Sequence, residues 1–249
     1  TDALFHSVGG QDQFDEVSIL LDRTDKEDPN SNEEAMASLR VSVKSKNADL
    51  VGRMFNAKMI ELALANYPGF FTGGGVRSGG PVLVYWPALI DSKYIKETVH
   101  VDGKKIEVLP TNQLGLEEIY YQKQPIEVPP APSDAPLRKP LGELFGARSG
   151  DKGGCANIGV WAKTENAFSF LNEYLTVETL KKLMPDVAEF DIDRYELPNI
   201  LSLNFYIHGI LQDGVSSNTR KDGQAKSLGE YLRSKYIDMP KSLIEENLI

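Results

Sequence analysis

The sequence predicts an α+β protein made of two small α/β sandwich units joined by a proline-rich linker. Three observations carry that prediction. Short runs alternating apolar and polar residues recur in both halves of the chain, the period-2 mark of half-buried strands. Each set of such runs is accompanied by stretches with apolar residues at three- and four-residue steps, the mark of amphipathic helices. Between the sets, residues 122–140 hold six prolines in nineteen positions, a density that favours extended, polyproline-like chain. The division reads as a first unit over 1–121, a linker over 122–140 and a second unit over 141–240.

In the first unit, residues 1–13 are polar and glycine-containing and read as a loose lead-in. Phe14–Leu21 suits a strand, and the acidic stretch 22–34 with Pro29 and Asn30 reads as a surface loop. Leu39–Lys44 alternates as a strand does. Asp49 is placed to cap a helix over 50–66, with Val51, Met54, Phe55, Met59 and Leu62 on one stripe and Pro68-Gly69 as its stop. The glycine-rich segment 72–80 reads as a turn feeding a strand over Val82–Trp86, with an anion cradle around Arg77 as the other reading. Asp102-Gly103 between two alternating runs signals a hairpin.

The second unit opens with strand-like runs at Leu141–Ala147 and Ala156–Lys163. Helices are expected over 166–174 and, capped by Thr176, over Val177–Leu183. Strands are expected at Tyr195–Leu197 and Leu201–Leu211, and a last helix at 226–235. Two strand pairs, each followed by helix, give a small sheet with helices on one side.

Composition narrows the function. Of 249 residues, 41% are hydrophobic and 25% charged, ordinary for a globular chain, and no apolar run approaches a membrane span. The net charge of −9 argues against a nucleic-acid partner, which needs a basic face, but leaves room for a local cationic pocket. Cys155 is the single cysteine, so internal disulfides and cysteine metal clusters are excluded and a reducing, cytoplasmic setting is expected. His6, His100 and His208 show no metal-ligand spacing, and no GxGxxG run marks a dinucleotide site; no metal or cofactor is expected. No signal peptide or membrane partner is indicated.

The densest chemistry lies in Arg148-Ser149-Gly150-Asp151-Lys152-Gly153-Gly154. Three glycines allow close backbone approach to an anion, and Arg148 and Lys152 add charge. Ser149, Gly150, Gly153, Gly154 and Asn157 complete the candidate binding set. A tight hairpin with its charges in water is the alternative. Leu201, Leu203, Phe205 and Ile207 share one face of a strand whose other face carries Asn204, Tyr206 and His208. That polar row faces solvent, a cleft or a partner. If it joins the Arg148–Gly154 loop, His208 can act as acid or base, Asn204 can polarise a carbonyl and Asp151 is the candidate carboxylate. Otherwise His208 is a surface residue in a hydrogen bond.

ARSGDKGG-x-ANIGVWA, RYELPNILSLNFYIHGIL and KSLGEYLRSKYIDMP resemble the C-terminal part of the AtuA (acyclic terpene utilisation) family. Residues 39–96, including FTGGGVRSGG, resemble the preceding section more loosely. The resemblance implies a ferredoxin-like fold for 141–240 and a place in acyclic terpenoid or branched acyl-CoA breakdown. It also implies a longer N-terminal region ahead of Thr1. A hydratase, hydrolase or lyase acting on a small anionic molecule such as an acyl-CoA is the expected activity. A non-catalytic binding or assembly module, homo-oligomeric through its sheet, is the alternative.

Overall fold

The computed structural model describes residues 1–64, 70–71, 79–108 and 129–247. It divides into two units, Thr1–Leu83 and Val84–Ile249. The expected helix stop at Pro68-Gly69, the Arg77 segment and most of the linker lie outside the described residues.

The first unit holds α1 (Asp2–Ser7), the antiparallel pair β1 (Glu16–Asp22) and β2 (Ser38–Lys44), and α2 (Phe55–Leu64). Residues 1–13 are therefore not a loose lead-in. Leu4 and Phe5 of α1 are buried because Phe5 closes an aromatic trio with Phe14 and Phe55, at centroid separations of 5.9, 6.1 and 5.6 Å. Such tilted and edge-on contacts favour one arrangement of the rings. The helix expected from 50 starts as a wide turn over Leu50–Met54, opened at Gly52, whose backbone is non-helical.

Residues 79–91 form no strand. An extended segment becomes a strand only beside a partner, and among the described residues Tyr85 has one such backbone bond, its N–H donating to the Asp213 carbonyl at 2.8 Å. The hairpin β3 (Glu97–Val101) and β4 (Lys104–Val108) turns at Asp102 and Gly103, with φ of 51° and 75°. Positive φ at both central residues is the tight turn that matches strand twist.

The linker's last five residues, Pro136–Pro140, are a strand, β5, antiparallel to β10 (Tyr236–Pro240). Prolines sit only at the ends of this ladder, where their missing N–H costs least. Ser242 and Lys241, at the start of α6 (Lys241–Asn247), add bonds to Asp134 and the Ala135 carbonyl.

The main sheet comprises β6 (Gly146–Lys152), β7 (Cys155–Trp161), β8 (Ile192–Leu197) and β9 (Ser202–Ile207), ordered β6-β7-β9-β8 and antiparallel throughout. Helices α3 (Glu165–Tyr174) and α4 (Val177–Leu183) separate β7 from β8, and α5 (Leu228–Arg233) follows β9. Thr164 and Thr176 accept from the third residue on at their helix starts, so the Thr176 cap falls where expected. Arg194 ties β8 to the end of α3, donating to the Leu175 and Asn172 carbonyls at 3.0 and 2.7 Å. This ββαββα order is the ferredoxin-like βαββαβ sheet entered one strand early. Moving β6 to the far end of the chain gives the usual succession with the same strand neighbours.

Ala156, Ile158, Val160, Leu203, Phe205 and Ile207 are wholly buried under Phe168, Leu171, Leu180 and Leu232. The turn at Gly153-Gly154 is pinned from below. Leu211 N–H donates to the Gly154 carbonyl, and a Cβ on Gly154 would lie 2.1 Å from the Gln212 carbonyl oxygen. Backbone cannot yield as a flexible side chain can, so Gly154→Ala is expected to cost about 2–3 kcal/mol in urea unfolding. Gly159→Ala, whose new carbon meets nothing closer than 3.7 Å, should cost under about 1 kcal/mol.

Candidate functional site

Alternation along the strands turns Asn157, Gly159 and Trp161 of β7, and Asn204 and Tyr206 of β9, to the side opposite the core. The register then lays out rows across that open face. One row runs Arg148, Gly159, Asn204, Tyr195; the next runs Gly150, Asn157, Tyr206, Asp193. Lys152 and Cys155 begin a third, toward which β9 continues into His208.

Three contacts order the face. Asn157 Nδ2 donates to Asn204 Oδ1 at 2.9 Å. His208 Nε2 lies 2.8 Å from Asp193 Oδ2, an oxygen the Tyr195 hydroxyl also approaches at 3.4 Å. The Tyr206 ring meets the His208 ring edge-on at 4.9 Å. Its hydroxyl is hydrogen-bonded with the Cys155 thiol, which first of all, and then burial and the neighbouring Cys155, Tyr195 and Tyr85, lifts its pKa above the ordinary tyrosine value. Tyr206 therefore remains a neutral phenol near neutral pH. The Cys155 sulfur also accepts from the Gly209 N–H at 3.4 Å.

Between Arg148 and Asn204 the face is low, because Gly159 has no side chain. Arg148 is exposed, and no described residue bonds its guanidinium. Trp161 lies over Gly146, where a Cβ would come 2.2 Å from the indole. The arrangement offers a planar cation, two fixed amides, an aromatic wall and an imidazole–carboxylate pair on one surface.

The structure thus brings Arg148, Gly150, Lys152, Asn157, Asn204 and His208 to one side of the sheet and turns Ser149 and Asp151 to the other. The stretch Arg148–Gly154 is not a loop of free N–H groups: 148–152 are strand, and only Gly153-Gly154 turn. Ser149 is buried, its Oγ accepting from the Gly229 N–H at 2.9 Å. Asp151 points with Ser149 toward the helices and pairs with Lys226 at 3.5 Å, so it does not meet His208. Gly150 is buried under the same lysine, whose Nζ sits 2.9 Å from where a side chain would begin. Lys152 Nζ donates to the Asp151 carbonyl at 3.0 Å. Gly153, at φ 64°, packs against the Tyr85 ring.

Asp193, Tyr195 and Gly159 were not anticipated. The signal was present in Ile192–Leu197, where Asp193 and Tyr195 alternate against Ile192, but their relevance depends on β8 lying beside β9. In the first unit a groove of about 470 Å³ lies along Arg53, Met54 and Lys58 and contains none of these residues. Among the described residues no cluster of His, Cys, Asp or Glu could hold a metal, and no helix is long and apolar enough to cross a membrane.

The Arg220–Lys226 segment is tied down by contacts of its own. Arg220 pairs with Asp186 at 3.2 Å, and Asp222 accepts from Lys226 N, Ser227 N and Ser227 Oγ. Burial alone would raise the Asp222 pKa, but those bonds and the Arg220 charge outweigh it and hold it below the usual carboxylate value. Its stabilisation is thus complete above the unfolded-state pKa and fades as pH falls through the lower folded value. Asp222→Ala should lose about 1 kcal/mol at pH 7, and the gap from wild type should narrow as pH falls below the ordinary carboxylate range in denaturant titrations.

Two family models match the chain. The acyclic terpene utilisation family protein AtuA model covers residues 1–101, and the AtuA ferredoxin-like domain model covers 139–238. No curated protein and no solved structure matches it.

Proposed function

The chain belongs to the AtuA family of acyclic terpene utilisation proteins, and on that premise we propose that its open sheet face binds a small anionic acyl compound. An acyl-CoA is the leading form, and the chemistry is proton transfer in a hydration, hydrolysis or lyase step. A cytoplasmic setting, with one thiol and no disulfide, completes the reading.

The observation that carries it is the His208–Asp193 pair sharing one sheet face with Arg148, whose guanidinium no described residue bonds. With Nε2 turned to Asp193, the imidazole keeps Nδ1 for a substrate proton. Arg148 supplies the fork that suits a carboxylate or phosphate. Strand spacing and rise put it roughly 17 Å from His208 along the face, so the two would engage different ends of an extended ligand. The Asn157–Asn204 pair lies between them, with one amide N–H₂ left to meet a carbonyl.

A second reading, a non-catalytic binding module, has one observation in its favour. The glycines at 153 and 154 serve packing against Tyr85 and Gln212.

Calorimetry with CoA and a branched acyl-CoA, paired with turnover assays, separates the two. Arg148→Ala should weaken binding at least about tenfold. His208→Ala and Asp193→Asn should bind within about threefold of wild type yet lose roughly 10²–10⁴ in turnover. Binding without turnover in the wild type supports the second reading as a binding module; no binding at all removes the acyl-CoA reading and leaves an assembly module.

A further inference from the structure

We propose that the β3–β4 hairpin is a self-association arm that stacks on the same hairpin of a second copy of this chain. The inference is independent of the chemistry assigned to the sheet.

The hairpin has two unlike faces. Thr98, His100, Lys105 and Glu107 lie on one, and Val99, Val101, Ile106 and Val108 on the other. That second face is what a strand pair presents to a core, yet its residues are 44%, 50%, 53% and 38% exposed. No third strand joins the pair among the described residues. A lone two-stranded hairpin is marginal in water and needs a packed face to persist. The segment leading into it adds Trp86, Leu89, Ile90 and Tyr94, all exposed. Exposed apolar side chains in this number, within one short stretch of chain, point to an interaction site.

The charges identify the occupant. On the apolar face Glu97, beside Val108, stands at the open end, and Lys104, beside Val101, stands at the turn. They are separated by about 13 Å along the strands, too far to pair within one hairpin. Two hairpins stacked face to face and running oppositely about a two-fold axis place each Glu97 against the partner's Lys104. Valine and isoleucine then meet in the middle. A self-complementary patch of this kind is what a two-fold interface requires. The hairpin's three valines and Ile106 form the core of the contact, and the two acid–base contacts set its direction.

The test is mass against concentration by sedimentation velocity on the full chain, over about 1–100 µM. Wild type should sediment as a dimer at the upper end. Ile106→Lys should sediment as a monomer with unchanged far-ultraviolet circular dichroism. Glu97→Lys and Lys104→Glu should each raise the dimer Kd about tenfold, and the combined swap should return it to within about threefold of wild type. A monomer at every concentration overturns the proposal. So does an Ile106→Lys dimer of wild-type strength, which would place the contact elsewhere, or a combined swap no tighter than the single ones.

Discussion

Ile158 stands directly opposite Phe205, with Ala156 opposite Ile207 and Val160 opposite Leu203. All six are sealed from water by the helices, and burying side chains of this size is worth about 1.5–3 kcal/mol apiece for the larger ones. A slip of one residue of β9 against β7 would turn Leu203, Phe205 and Ile207 outward and set Asn204 and Tyr206 against the helices. The apolar register therefore decides what the uncovered side displays. The polar face follows from the core by alternation.

That constraint also explains why the two ends of the face differ. Toward Arg148 the outward positions are Gly146, Gly159 and Trp161, which leave a low floor beside a flat ring. Toward the Gly153-Gly154 turn they are Cys155, Tyr206 and His208, which bond to one another or to Asp193 and stand upright. The first is suited to lying against a ligand and the second to exchanging protons with it.

Much of this was legible in the residue order, where local physics decides. The Thr176 cap, the Asp102-Gly103 turn and the polar row Asn204, Tyr206, His208 each depend on a few neighbouring residues. The ferredoxin-like assignment came through family resemblance, because periodicity does not reveal strand order. Three features were hidden for stated reasons. Asp193 becomes the partner of His208 only when β8 docks beside β9. The glycines at 153 and 154 suggest an anion cradle until the Gln212 carbonyl and the Tyr85 ring are seen against them. Pro136–Pro140 reads as linker because the ladder that makes it a strand is supplied about a hundred residues later, in β10.

That late pairing shapes how the domain relates to whatever chain surrounds it. The strand that enters the module and the strand that leaves it are zipped side by side, Leu137 against Met239 and Lys139 against Ile237. A host polypeptide would feel the insertion as little more than a bridge between two adjacent points, whatever the hundred intervening residues do. Such a unit has the geometry of a cassette, entered and left at one place.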